Sequence, residues 1–202
     1  MSDRFKEKYR IPSARLQGYD YGQNGAYFIT ICTKNRFHYF GEIETVEMHH
    51  HTSESGAPKN VLSLGRETQN IASLQPTPIG KIAIEYWQKI PQHFPFVILD
   101  EFQIMPNHIH GIIFIGKIET IKPGGYKNKF GPQSGNLSSV LRGYKAGVKT
   151  FAITNKVEFE WQSRFHDHII RNENELNGIR KYIIENPENW NRDRNNNEGL
   201  LM

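Results

Sequence analysis

The chain has 202 residues, a single cysteine and a formal net charge of +4 at pH 7, with 37% hydrophobic and 12% aromatic residues. That is apolar material for one packed domain with polar excursions. A lone Cys32 excludes an internal disulfide and any multi-cysteine zinc site, and no apolar run approaches the roughly 20 residues of a membrane span.

The N-terminus, Met-Ser-Asp-Arg-Phe-Lys-Glu-Lys, lacks the apolar core of a secretory signal. The expected location is therefore cytoplasmic. Residues 1–25 interleave Arg4, Lys6, Lys8, Arg10 and Arg15 with Tyr9, Tyr19 and Tyr21. Such a basic, aromatic arm suits either a nucleic-acid strand or a surface-packed segment. Ala26 to Thr33, rich in β-branched and aromatic residues, reads as a strand, with Cys32 as a small buried residue within it.

Residues 41–78 are dominated by polar residues, Gly and Pro, and read as an insertion that packs little. The run His49-His50-His51 lies inside it and reads as a surface cluster. Pro78 to Phe94 carries Ile79, Ile82, Ala83, Tyr86 and Ile90 at helical spacing, and Pro91 and Pro95 mark its end. A strand over 96–105 then meets the turn signal Pro106-Asn107 and doubles back into His108–Ile115. Side chains alternate along a strand, so His108 and His110 share one face and can offer two nitrogens to one divalent cation.

A second polar excursion covers 117–136. Asn136 or Ser138 can cap a helix that runs to about Thr154, striped by Leu137, Val140, Leu141, Tyr144, Val148 and Phe151 and decorated by Arg142, Lys145 and Lys149. A further strand is expected near Phe165–Ile170, preceded by Trp161, Gln162 and Arg164, which can stack on or clamp a nucleic acid. Trp161 suits the core equally well. Asn172 followed by Glu175 resembles a capping box and starts a last helix that Pro187 stops. Residues 191–202 are expected to form a flexible tail.

The outline predicts an α+β, ferredoxin-like sheet of four antiparallel strands with helices on one face and an added C-terminal helix. The whole would be one domain over residues 1–190.

On the last helix Tyr182 and Asn186 are neighbours at i and i+4, and Tyr182 falls at the edge of the Ile179 stripe, where a ring can pack while its hydroxyl stays exposed. The Asn186 amide oxygen can serve as a third metal ligand beside His108 and His110. Pro187 disfavours helical dihedrals at Asn186, which leaves Glu185 as the fallback. Tyr144 is a rival nucleophile, although its i+4 neighbour is Val148, which cannot bind a metal.

The blocks Gly25-Ala26-Tyr27-Phe28-Ile29-Thr30, Met105-Pro106-Asn107-His108-Ile109-His110, Trp161-Gln162 through His168, Ile170-Arg171-Asn172, and Tyr182-Ile183-Ile184-Glu185-Asn186-Pro187 together resemble the REP-associated tyrosine transposases, of the IS200-like branch of the HUH single-strand transposases. The resemblance runs from about residue 8 to 190, outside the two excursions. It implies a metal-dependent nicking and joining enzyme for single-stranded DNA carrying a hairpin. Tyr182 would be the nucleophile, leaving a 5′-phosphotyrosine and a free 3′-hydroxyl, and His108, His110 and Asn186 would hold Mg²⁺ or Mn²⁺. Those neutral ligands would leave the full double charge of the cation to act on the phosphate. Arg10, Arg15, Arg142, Lys145, Trp161, Arg164 and His168 are candidate DNA contacts. The protein would act as a monomer or a homodimer. The competing readings are a hairpin-binding module without catalysis and a metal hydrolase that uses activated water.

Overall fold

The computed structural model describes residues 4–5, 8–9, 19–48, 69–117, 134–193 and 196. Arg10, Arg15 and the His49-His50-His51 run lie outside these described residues. Two short strands, β1 (Arg4–Phe5) and β2 (Lys8–Tyr9), pair antiparallel at the start. The principal sheet is built from β3 (Gly25–Thr33), β6 (Val97–Met105), β7 (His108–Ile115) and β8 (Trp161–Ile170). Their spatial order is β6-β7-β3-β8, every neighbour antiparallel. With α1 (Pro78–Gln88) after β3 and α3 (Leu137–Thr154) after β7, this is the ferredoxin-like plan expected from the sequence.

Alternation along the strands assigns the two faces of the sheet. Tyr27, Ile29 and Ile31 on β3 and Ile109, Ile113 and Ile115 on β7 face α1 and α3, where Ala83, Trp87, Val140, Leu141 and Val148 complete the main core. The intervening residues face the other way. There Ile112, Ile170 and Ile183 form a second, smaller core, flanked by Phe28, Phe114, Leu176 and Ile179, under α4 (Glu173–Glu185). The added helix thus covers the opposite side of the sheet from α1 and α3.

Several local expectations are revised. The helix predicted over 78–94 divides into α1 and the short α2 (Ile90–His93), because Pro91 cannot continue the α1 hydrogen-bond ladder. Trp87, absent from the expected stripe, is fully buried at its centre. The excursion 41–78 opens and closes as a two-stranded ladder, β4 (Gly41–Met48) with β5 (Gln69–Pro76). It leads directly into Thr77, whose hydroxyl caps α1 by accepting from Gly80 N. The last strand starts at Trp161, four residues earlier than predicted. At α4, Asn172 Oδ1 accepts from Glu175 N, but Glu175 bonds Arg171 N in place of the cap's own amide, so only half of the capping box forms.

The described part of the tail folds back on the chain. A 3-10 turn, Trp190–Arg192, follows α4, and Trp190, Asp193 and Asn196 are all buried. Asn196 holds this turn closed by donating Nδ2 to Trp190 O at 3.2 Å and its backbone amide to Asp193 O at 2.8 Å.

Candidate active site

The hairpin turn between β6 and β7 fixes the two histidines. Both are buried, at 0% and 1% exposure, with ring centroids 4.4 Å apart. Asn107 in the turn is fully buried; its Nδ2 donates to Arg36 O at 3.1 Å, so its Oδ1 is the atom that faces His108 Nδ1 at 2.9 Å. A carbonyl oxygen only accepts, so His108 carries its proton on Nδ1 and presents the Nε2 lone pair to the site. Thr30 Oγ1 lies 3.0 Å from His110 Nδ1 and orients the second imidazole, although a hydroxyl, able to donate or accept, leaves its tautomer open. Phe28 stacks on the His110 ring at 5.3 Å.

The nearest glycine to this pair is set by packing. A Cβ on Gly111 would sit 2.3 Å from Trp87 Cζ2, so the strand bearing the histidines lies against the indole only because position 111 has no side chain.

The turn that receives the Asn107 amide is itself strained. Asn35 and Arg36 have φ of 55° and 59°, consecutive left-handed residues that are not glycine. Each such residue costs on the order of 1–3 kcal/mol unless the surroundings hold it. Here Lys34 N donates to Glu160 O, Arg36 O accepts from Asn107, and Arg36 Nη1 donates to Cys32 Sγ at 2.8 Å.

From the opposite side, α4 brings Tyr182 over the strand. Its side chain is 43% exposed, and its hydroxyl lies 3.2 Å from His110 Nε2. The helix is fastened by Ile183 in the small core, by Arg180 donating to both carboxylate oxygens of Asp100 at 2.8 and 2.5 Å, and by His168 Nε2 against Glu175 Oε1 at 2.6 Å. The Arg180 hydrogen bond holds the Asp100 carboxyl below its ordinary value.

Asn186 keeps helical dihedrals, φ −60° and ψ −41°, despite the proline that follows it. The chain continues into a tight turn in which Asn189 N donates to both Glu185 O and Asn186 O, and that turn requires the helical conformation. Asn186 is 3% exposed, and its Oδ1 has no hydrogen-bond partner among the described residues. Glu185, the fallback ligand, is exposed and faces Lys181 at 3.7 Å. It is withdrawn as a candidate.

A residue the sequence analysis missed joins the pair. Asp193 Oδ2 lies 3.7 Å from His108 Nε2, and one donor atom from each of His108, His110 and Asp193 falls within 4.8 Å of the others. Trp190 packs behind them, its ring 6.0 Å from that of His108. The signal available in the sequence was Trp190 itself, a large aromatic in a polar tail, which seldom stands free of a core. Buried, convergent imidazole and carboxylate donors are the chemistry of a divalent-cation site, and one helical turn after Tyr182 the buried Asn186 Oδ1 is a hard oxygen with no hydrogen-bond partner among the described residues. The donor set fits a divalent cation. Asp193 also adds a negative charge that the all-neutral ligand set expected from the sequence lacked.

The other candidates divide. Tyr144 is removed as a nucleophile: it is buried under the opposite face, donates to Ala83 O at 3.0 Å, and burial pushes its phenol well above the ordinary value. Trp161 is partly buried and packs against the core, beside Phe40, Phe159 and Tyr144, donating Nε1 to Lys145 O at 3.0 Å. Lys145 is drawn to Gln162 O at 2.5 Å and over the Trp161 ring, and burial lowers its pKa. Arg142 is exposed on α3, in the helix layer across the sheet from Tyr182. His168 faces the same side as the histidine pair but is engaged with Glu175. Arg164, exposed on the same side of β8, lines a cavity with Thr30 and His166.

No protein-family model matches the chain. A Haemophilus influenzae protein described as an uncharacterized protein is 36% identical over 191 residues, covering 90% of this chain and 91% of its own length. At that similarity the two chains belong to one family. Among solved structures, a REP-associated tyrosine transposase bound to a REP hairpin superposes with a TM-score of 0.50 at 18% identity, covering 89% of this chain and 74% of that one. The likeness shows a shared fold.

Proposed function

We propose that this chain, which belongs to one family with the Haemophilus influenzae protein, is a divalent-metal-dependent transposase-like enzyme that nicks and rejoins single-stranded DNA beside hairpins. The observation that carries the reading is the Tyr182 hydroxyl held 3.2 Å from His110 Nε2, next to two buried imidazoles and a carboxylate. The shared fold with a hairpin-bound tyrosine transposase supports it. In this reading His108, His110 and Asp193, with Asn186 as a further donor, hold Mg²⁺ or Mn²⁺. When bound, that cation supplies charge to a non-bridging oxygen of the scissile phosphate.

The chain's own groups do the rest. A tyrosine hydroxyl has an ordinary pKa near 10 and is a weak nucleophile at neutral pH. Exposure of Tyr182 at the helix edge lets a phosphodiester reach its oxygen, while the Phe28 and His110 rings fix the direction of the phenol. As the bond from Tyr182 Oη to phosphorus forms, the bond from phosphorus to the 3′ oxygen breaks. The phenol gives up a proton and the departing 3′ oxygen takes one. The phosphotyrosine ester retains the energy of the broken bond, so a 3′-hydroxyl can reverse the step and join strands without a nucleotide cofactor.

The test uses hairpin oligonucleotides labelled at the 5′ or the 3′ end, incubated with the protein and Mn²⁺. The expected product is a denaturation-resistant adduct that carries only the 3′-labelled fragment and disappears in Tyr182→Phe. Cleavage that persists in Tyr182→Phe would remove the nucleophile and favour activated water. Binding without cleavage by the wild type would identify a passive hairpin-binding module.

A further inference from the structure

Beside the histidine pair, between the end of β3 and the edge strand β8, lies a cavity of about 250 Å³ walled by Thr30, Cys32, Arg36, Arg164, Phe165 and His166. We infer that this cavity is a second phosphate subsite, which holds the single strand at a phosphodiester neighbouring the one presented to Tyr182. The inference rests on the nucleic-acid reading of the site and joins Arg36 and His166 to Arg164, already a candidate DNA contact.

Position comes first. Thr30 contacts the cavity and also bonds His110 Nδ1, so one side chain borders both places. Across the sheet, His110, Thr30 and His166 are in register on β7, β3 and β8. Strands lie about 4.8 Å apart, so His166 stands roughly 10 Å from His110 along the same face. A strand laid across this row meets Tyr182 and then the cavity.

Charge comes second. Two arginines and a histidine wall the cavity, and among the described residues none of its lining is a carboxylate. The guanidinium fork matches phosphate oxygens better than any other side chain does. The volume falls below the ~300–1,000 Å³ typical of pockets that enclose whole small molecules, as suits one segment of a longer polymer.

The backbone supplies an independent third observation. Arg36 is held at φ 59° beside Asn35 at φ 55°, and strain kept in place by surrounding hydrogen bonds is characteristic of functional positions. The same turn has two ends of use. Its Arg36 carbonyl orients Asn107 and through it His108, while the Arg36 guanidinium is folded over Cys32 onto the cavity wall. A strand seated on Arg36 is thereby registered against the histidine pair.

Fluorescence anisotropy with two oligonucleotides tests the subsite: a hairpin alone, and the same hairpin with a single-stranded flank, each titrated at several salt concentrations. Arg164→Gln changes an exposed residue, and Arg36→Gln is followed by thermal melting to show that it folds. Each variant is expected to bind the flanked probe about five- to tenfold more weakly, with the slope of log affinity against log salt shallower by about 0.7 per lost contact. The hairpin alone should stay within twofold, and Arg164→Lys should restore most of the salt slope. If the wild type binds neither probe, the nucleic-acid reading falls and the subsite with it. If the wild type binds the flanked probe and both variants match its affinity and slope, the subsite alone is overturned. Equal weakening of both probes would also overturn it, by assigning the arginines to the hairpin.

Discussion

Replacing Asn107 by alanine should weaken both the fold and the proposed metal site, by amounts the structure sets separately. The side chain is fully buried and, among the described residues, bonds Arg36 O at 3.1 Å and His108 Nδ1 at 2.9 Å. A buried group left without its hydrogen bond costs ~1–3 kcal/mol. Arg36 is only partly buried, so water can reach its carbonyl and the lower end applies there. His108 is wholly enclosed and the upper range applies. The sum is about 3–4 kcal/mol, a large part of the ~5–15 kcal/mol that holds a domain together. Independently, His108 loses the acceptor that fixes its tautomer, and removal of such a supporting contact typically lowers metal affinity by about 10- to 100-fold. Urea unfolding in the presence of a chelator measures the first effect, and titration calorimetry with Mn²⁺ the second. Asn107→Asp separates them, since it keeps an oxygen for His108 Nδ1–H and removes the donor to Arg36. An Asn107→Ala protein within about 0.5 kcal/mol of wild type that binds Mn²⁺ equally well would refute the assigned tautomer and the role of the turn.

Gly111→Ala should destabilise the chain by about 1–3 kcal/mol or more, because the new methyl would meet the buried Trp87 ring at 2.3 Å; near-ultraviolet circular dichroism of the indole together with denaturation midpoints reports it. Tyr144→Phe should cost about 1 kcal/mol through the lost bond to Ala83 O yet leave any covalent DNA adduct intact, the reverse of the pattern expected for Tyr182→Phe in both respects. Asp100, depressed by the hydrogen bond from Arg180, should stabilise the fold above its unfolded-state pKa of about 3.9 and lose that contribution as pH falls through its lower folded-state value. The difference in urea midpoint between wild type and Asp100→Asn should therefore be present at pH 6 and shrink below pH ~4; a difference that grows in acid would contradict the ion pair.

The sheet was readable from the sequence because its signals are local. Ile109, Ile113 and Ile115 alternate with His108, His110 and Ile112, the Pro106-Asn107 turn is explicit, and Asn136 and Asn172 cap the helices they precede. The failures share a cause: each depends on a partner far away in the chain. Trp161 and Lys145 look alike from sequence as DNA contacts and as core neighbours, and only the docking of α3 on β8 gives them to each other. The β4–β5 ladder pairs strands separated by twenty residues of weak pattern. Asp193 was hidden because nothing within the tail shows that Trp190 reaches His108. The rule against helical dihedrals before proline gave way at Asn186 to the turn that follows it.

The two sides of the sheet differ greatly in how much they bury. The main core engages α1, α3 and three strands, whereas α4 rests on a handful of residues around Ile112, Ile170 and Ile183 and on two polar clasps. Openings of a native protein follow such differences, with thinly packed units exchanging first. Lesions would then sort by side. Damage beneath α1 and α3 depletes the protein from the cell, through unfolding and proteolysis. Damage beneath α4 would leave a normally abundant protein whose tyrosine no longer meets its histidines, so abundance and the proposed DNA processing, scored together across a mutant library, would map the boundary between the two cores.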